Sequence, residues 1–280
     1  MSRTEVLDPY DIKDLTITLD RLGYQFCYTP ETPTTMKLAE DHVRAGGQMP
    51  TILRLAILTD HQTQGIGREG RTWLDKLGAS ILVNGVLRIK PDTLPIFADM
   101  VALHTCRAMI ASTGIDEVKI KYPNDLVIKD KKVGGLLVVS ILDEAEYLGT
   151  SVGIGINAHY SEKELAEFPT DYGATALDLH APKPISRQSL LLAIFDGFQF
   201  LPVDAETFQT NLQTQQDYNN SWRRHSSLFN KDVQVETDKQ TVIQGRVVDT
   251  QISKGILLES LFGTRWFNRF ATTMKVRILD

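Results

Sequence analysis

The chain's 280 residues are 42% apolar and 23% charged, enough for one large domain with a small appendage or for two medium domains. A net charge of −5 excludes a global basic field that would draw the protein onto nucleic acid or an anionic membrane, so phosphate binding falls to local basic loops. The two cysteines, Cys27 and Cys106, make no metal-ligand spacing or disulfide framework, and no export leader or apolar run of about 18 residues is present; a cytoplasmic protein is expected.

Residues 9–22 read as a short amphipathic helix stopped by Gly23, followed by a strand, YQFCYTP, and a polar turn, ETPTT. MKLAEDHVRAGG (Met36 to Gly47) has helical apolar spacing and a glycine stop, with Thr34 or Thr35 placed to cap it. RLAILTD (Arg54 to Asp60) and SILVNGVLRI read as strands flanking GIGREG, which matches G-x-G-x-x-G letter for letter. A dinucleotide-binding turn requires a strand running straight into the glycines, a helix beginning at the last one, and an acidic residue about 20 positions on. Here HQTQ intervenes before the glycines and Gly78 breaks any helix after them, so they belong to a long loop between two strands. Gly65, Gly67 and Gly70 let the main chain approach a ligand closely, while Arg68 and Arg71 offer planar forks for phosphate or carboxylate oxygens; a solvated hairpin loop is the alternative.

Residues 94–114 read as a long buried helix, and the segment from Val118 to Tyr160 as four strands joined by tight turns at PND, KDK and EAEY. SEKELAEF, ISRQSLLLAIFDGFQF and ETFQTNLQTQQDY follow as helices. From Ser227 onward VQVET, VIQGRVVDTQ, GILLES and TMKVRIL alternate at close spacing, the pattern of a small β-barrel. The expected division is therefore residues 1–226 and residues 227–280.

Four further groups carry chemistry, each with a plain structural alternative. KYPND projects Asn124 and Asp125 from one corner, or is a simple turn. KDKKVGGLL places Lys132 beside the side-chain-free Gly134 and Gly135, or is a charged hairpin tip. GIGIN ends a buried strand at Asn157, with glycines that admit something flat, or is a packed strand end. TPTTM supplies hydroxyls that helix capping alone explains.

In this order, T-T-M, Q-x-x-G-x-G-R-x-G-R-x-W, K-Y-P-N-D, K-K-V-G-G-L-L and G-I-G-I-N resemble biotin protein ligases of the biotin/lipoate protein ligase family. The likeness runs from about residue 20 to the end and includes ATALDL (Ala174 to Leu179). It implies an α+β fold: a class II aminoacyl-tRNA synthetase-like mixed sheet with helices over residues 1–226, then a small SH3-like barrel. It also implies a ligase that activates biotin with ATP and Mg2+ to biotinyl-5′-AMP and transfers it to a lysine of a biotin carboxyl carrier protein. By motif position, Arg68 and Lys132 would be catalytic. Thr34, Thr35, Gln62, Gly65, Ile66, Gly67, Arg68, Lys132 and Gly135 would bind biotin. Arg68, Arg71, Trp73, Asn124, Asp125, Lys132 and Asn157 would bind ATP. No protein metal site, nucleic acid or membrane partner is implied, and a homodimer is left open.

Four positions depart from the family's common pattern: Pro33 for an acidic residue, Ile66 for arginine, Tyr122 for tryptophan, and Val139 for glutamate. The alternatives are a lipoate or octanoate ligase on the same fold, or a non-catalytic biotin-binding regulator. Only about 20 residues precede the matched region, too few for a winged helix. The three loop glycines predict a cover that orders only when a ligand offsets the entropy of fixing it.

Overall fold

A computed structural model describes residues 8–45, 54–144, 146–201, 212–237, 241–268 and 274–279. The glycine stop at 46–47 and the start of the ETFQTNLQTQQDY segment lie outside these residues.

The first elements are α1 (Ile12–Arg21), β1 (Gln25–Thr32), α2 (Thr35–Ala45), β2 (Arg54–Gln62), β3 (Ser80–Leu87) and α3 (Leu94–Thr113). Then come β4 (Val118–Lys121), β5 (Asp125–Ile128), β6 (Lys131–Asp143), β7 (Glu146–Asn157), the single-turn α4 (Glu162–Leu165) and α5 (Arg187–Gly197). Strands β1 to β7 form one sheet in the order β1-β2-β3-β7-β6-β5-β4, parallel only between β1 and β2. Because side chains alternate across a strand, this sheet has two distinct faces. Ala56, Leu58, Ile81, Val83, Val152 and Ile154 point into the main core with α1, α3 and α5. Leu55, Ile57 and Val86 point the other way, against Ala39 and Val43 of α2. Among the described residues this second face bears a single helix, and beyond it lie Gly153, Gly155 and Gly135.

Helix α3 is apolar on all sides, as a helix enclosed by protein must be, and Gly114 ends it with φ 72°. Its length and composition would suit a membrane span, but it is mostly buried inside the protein.

The remaining elements are α6 (Leu212–His225), β8 (Asp232–Thr237), β9 (Val242–Gln251), β10 (Gly255–Ser260), β11 (Gly263–Phe267) and β12 (Met274–Ile278). The five strands form an antiparallel sheet in the order β11-β10-β9-β8-β12, consistent with an SH3-like barrel. It is tied to the larger sheet's layer by Trp222 Nε1 donating to Thr250 Oγ1 at 2.8 Å, and by Ser253 N donating to Asp99 Oδ2 at 2.8 Å.

Several boundaries differ from the sequence reading. β1 runs on through Thr32, and β2 through His61 and Gln62, because their parallel pairing continues to that point. The expected helix 161–168 has one α-turn, closed by a Ser161–Glu164 capping box. α5 starts at Arg187, not Ile185, because the Ser186 hydroxyl accepts from Ser189 N at 3.2 Å. Strand β11, GTRWF, was not expected: of its residues only Phe267 is buried, so it carries no alternating apolar signal.

One buried ionic cluster fastens α5 to the sheet and to the N-terminal segment. The wholly buried Arg187 guanidinium donates to Asp60 Oδ1 at 3.2 Å, Ser80 O at 3.0 Å and the Asp8 carbonyl, and lies 4.3 Å from the Tyr10 ring centre. Tyr28 donates to the other Asp60 oxygen at 2.7 Å, and burial with that bond pushes its phenol up to about 12. Removing one partner of such a set leaves a buried charge uncompensated. Arg187→Met is therefore expected to lose about 3 kcal/mol in urea unfolding, and adding Asp60→Asn to recover part of that loss.

Candidate active site

The open end of the sheet's second face is roofed by the glycine loop. β2 and β3 are antiparallel neighbours, so the loop extends a hairpin and no helix follows it; the dinucleotide-turn geometry is absent. Its limbs are zipped by Trp73 N to Gly65 O at 2.9 Å, Gly67 N to Arg71 O at 2.7 Å, and an Ile66–Thr72 bridge. The tip, Arg68 to Gly70, is one 3-10 turn, with Gly70 at φ 72°. A side chain at Gly65 would put its Cβ 2.5 Å from the Trp73 carbonyl, so the close strand approach requires glycine there. The base is clasped by Asp75, whose buried carboxylate accepts from Gln62 N at 3.1 Å and meets His61 Nδ1 at 2.7 Å. Burial pushes the Asp75 carboxyl up, against the lowering pull of both partners. The loop is thus a folded finger, held by its own ladder and by the Trp73 side chain.

Trp73 lies on bare backbone. Gly135 of β6 and Gly155 of β7 are directly paired, and a Cβ at Gly155 would fall 2.6 Å from the indole. A Cβ at Gly135 would fall 3.3 Å from it, and one at Gly153 2.7 Å from Met36 Sδ. The indole Nε1 is buried with no hydrogen-bond partner among the described residues.

Beneath the finger is a cleft with about 470 Å³ of empty space, and beside it a wider one of about 1690 Å³. Thr35, Gln62, Ile66, Gly67, Arg68, Trp73, Asn124, Lys132 and Gly135 line the first. Arg71 and Asp125 line the second, together with Arg68, Trp73, Asn124 and Lys132, which border both. Asn157 lines a recess against Trp73 and Lys132 and donates to Thr175 O at 3.1 Å. Two expected residues stand behind these walls. Gly65 serves the finger's backbone, and buried Thr34 caps α2, its hydroxyl accepting from Met36 N at 3.3 Å. Gln62 shares the capping: its Oε1 accepts from Thr35 N at 2.7 Å and Thr35 Oγ1 at 3.1 Å.

Each cation is matched by a polar or acidic neighbour. Lys132 Nζ is 2.7 Å from Asp125 Oδ1. Arg68 donates to Asn124 Oδ1 at 3.2 Å and to Glu69 at 3.4 Å, while Asn124 Nδ2 donates to Leu136 O at 3.0 Å. Arg71 lies 3.8 Å from both Glu69 and Asp171. Lys121 is buried, which pulls its pKa down against the raising influence of Asp125. Among the described residues no three His, Cys, Asp or Glu side chains gather as a metal site. Sequence reading missed Met36 as a wall, Tyr172, and the barrel residues Lys275 and Arg277 at the wider cleft. Tyr172 meets Asp125 across 47 positions of chain, a distance no local motif reports.

This is an α+β domain with a glycine-floored, cation-lined cleft and an appended five-stranded sheet, and its fold is like that of biotin protein ligases of known structure. The Aquifex aeolicus enzyme in complex with biotin and ATP superposes with a TM-score of 0.70 at 21% identity, over 91% of this chain and 99% of that one. In sequence, the chain is 27% identical over 180 residues to the bifunctional ligase/repressor BirA of Bacillus spizizenii, 64% of this chain and 54% of that protein. It is 28% identical over 157 residues to the biotin--[acetyl-CoA-carboxylase] ligase of Paracoccus denitrificans, 54% of this chain and 60% of that one. The chain thus spans about half the length of the curated relatives it matches. Residues 28–157 match the model of the biotin/lipoate A/B protein ligase family.

Gly155→Ala is expected to force the Trp73 indole off the floor, because a close-packed contact of this kind does not absorb an extra methyl without movement. The check is the emission of Trp73, obtained by difference from a Trp73→Phe background: it should shift to the red in the Gly155→Ala protein.

Proposed function

We propose that this chain is a biotin protein ligase: it joins biotin to ATP as biotinyl-5′-AMP, then passes the biotinyl group to a lysine of a biotin carboxyl carrier protein. The observation that carries the reading is the pairing of Arg68 and Lys132 around a cleft floored by Gly135 and Gly155 and roofed by Trp73. In this reading residues 1–226 are the catalytic domain and residues 227–280 the barrel that sets Lys275 and Arg277 at the nucleotide side.

Biotin's fused rings would lie in the inner cleft. Since Gln62 Oε1 is already taken by Thr35, its Nε2 is left to donate to the ureido oxygen, and the Thr35 hydroxyl keeps a lone pair for a ureido N–H. Thr34 would fix this end through the helix cap, and the backbone at Gly65, Ile66, Gly67 and Gly135 would line the ring. A contact made by main chain survives the side-chain change at Ile66. ATP would lie in the wider cleft, met by Arg71, Trp73, Asn124, Asp125 and Asn157. Magnesium would enter with the triphosphate, held mainly by phosphate oxygens, since Asp125 already faces Lys132 and Tyr172.

The first step brings two anions together. A biotin carboxylate oxygen attacks the α-phosphorus, and the bond to the leaving pyrophosphate breaks. Arg68 and Lys132 would offset the repulsion and stabilise charge on the transferring group. In the second step a neutral lysine amine attacks the acyl carbon, loses its proton, and expels AMP.

The test is ATP–pyrophosphate exchange with biotin, lipoate and octanoate under matched conditions, with biotin expected to be preferred. Exchange with lipoate equal to or better than with biotin would favour the lipoate-ligase reading. Within the same assay Lys132→Ala should lose on the order of 100-fold or more in rate, while Lys131→Ala, at the exposed start of β6, should cost little. Equal losses would move the catalytic cation elsewhere.

A further inference from the structure

Outside the residues assigned above, the strongest candidate is Tyr172. It stands on the segment between α4 and α5, which is pinned to β6 at one residue: Lys132 N donates to Gly173 O at 2.9 Å, and Thr175 N donates to Lys132 O at 2.8 Å. The backbone of Lys132 therefore holds in place the segment that carries Tyr172. The phenol donates to Asp125 Oδ2 at 2.5 Å, while the other oxygen of that carboxylate faces Lys132 Nζ at 2.7 Å. Lys121 Nζ lies over the Tyr172 ring, 3.2 Å from the ring centre. Lys121 and Asp125 are themselves cross-strand partners on β4 and β5.

We infer that Tyr172 is a positioning residue for Lys132, acting through Asp125. By occupying Oδ2, the phenol fixes the carboxylate's rotation and leaves one oxygen to hold the Lys132 ammonium. A carboxylate free at both oxygens would grip that ammonium at two points, or turn to Lys121, and draw the cation away from entering anions. Burial, then the nearby Asp125 charge, push the Tyr172 phenol far above its ordinary range, so it stays a donor at any working pH. The cation over its ring face further disfavours movement of the ring. This inference rests on the ligase reading for what Lys132 does, but not for how it is held.

Tyr172→Phe keeps the ring and removes only the donor. In biotin-dependent exchange it should lower kcat about tenfold while moving KM for biotin by less than about twofold. In an Asp125→Asn background the same change should alter kcat less than about twofold, because the charged grip it regulates is gone. A second readout needs no activity: reductive methylation followed by peptide mass spectrometry, where Lys132 should label more slowly in Tyr172→Phe and exposed Lys131 at the wild-type rate. Wild-type kcat with wild-type labelling of Lys132 in Tyr172→Phe would overturn the proposal, as would a full tenfold loss in the Asp125→Asn background. If the wild-type protein shows no exchange with any acyl acid, the ligase reading falls, and the labelling comparison still decides the positioning role.

Discussion

The site depends on the missing side chains of two paired residues. Gly135 and Gly155 face each other across β6 and β7, and the Trp73 indole rests on the gap they leave. Any Cβ at Gly155 would occupy the indole's space, so the finger could not close at its present height. With Trp73 seated, its backbone pairs with Gly65, the Ile66–Thr72 bridge forms, and Arg68 is carried over Asn124. On the second face of the sheet α2 covers Leu55, Ile57, Val86 and Ile141 and sets Met36 against Gly153, while Trp73 lies over Gly135 and Gly155. A floor of backbone, a wall of helix cap and a roof of indole then define one cleft.

The cations of that cleft are paired within the protein. Arg68, Arg71 and Lys132 each already contact a carboxylate or an amide oxygen. Such pairs limit the desolvation penalty of cations in a partly closed site, yet a contact to a neutral amide or an acid at 3.8 Å is weaker than one to phosphate at bonding distance. In the proposed reading, entering anions would exchange partners with these cations and would not have to order them from solvent. At the inner end Gln62 Oε1 accepts from Thr35 N and Thr35 Oγ1, and the Thr34 hydroxyl accepts from Met36 N.

How far this was legible in the sequence follows from range. The loop between two strands, the four-strand run from Val118 and the helix at 94–114 are local patterns, and each appears where periodicity and glycine placed it. The motif order also brought Arg68, Asn124, Lys132, Gly135 and Gln62 to one cleft. What sequence withheld was of two kinds. Strand β11 lacks a buried stripe, since the barrel buries only Phe267 of its five residues. Tyr172, Met36 and the β12 cations reach the site through tertiary packing, and nothing in their neighbours' spacing signals it. The loop's folded state was hidden for a related reason: glycine content reports the entropy of the free chain, while the Trp73 contact that offsets it comes from strands about 60 to 80 residues away.

The chain's net negative charge is no obstacle to a phosphate site, because the field an anion meets is local. At physiological ionic strength charges separated by more than about 8 Å are largely screened at the surface, so acids elsewhere contribute little inside the cleft. The wider cleft is lined by Arg68, Arg71, Lys121, Lys129, Lys131, Lys132, Lys275 and Arg277, against Glu69, Asp125, Asp130 and Asp171. Two of these cations come from β12, whose alternation buries Met274 and Val276 in the barrel and turns Lys275 and Arg277 outward. The contacts that dock the second sheet, Trp222 to Thr250 and Ser253 to Asp99, belong to the same sheet that brings Lys275 and Arg277 to the cleft. If the wider cleft holds the nucleotide as proposed, loosening that docking would weaken anion binding by displacing Lys275 and Arg277.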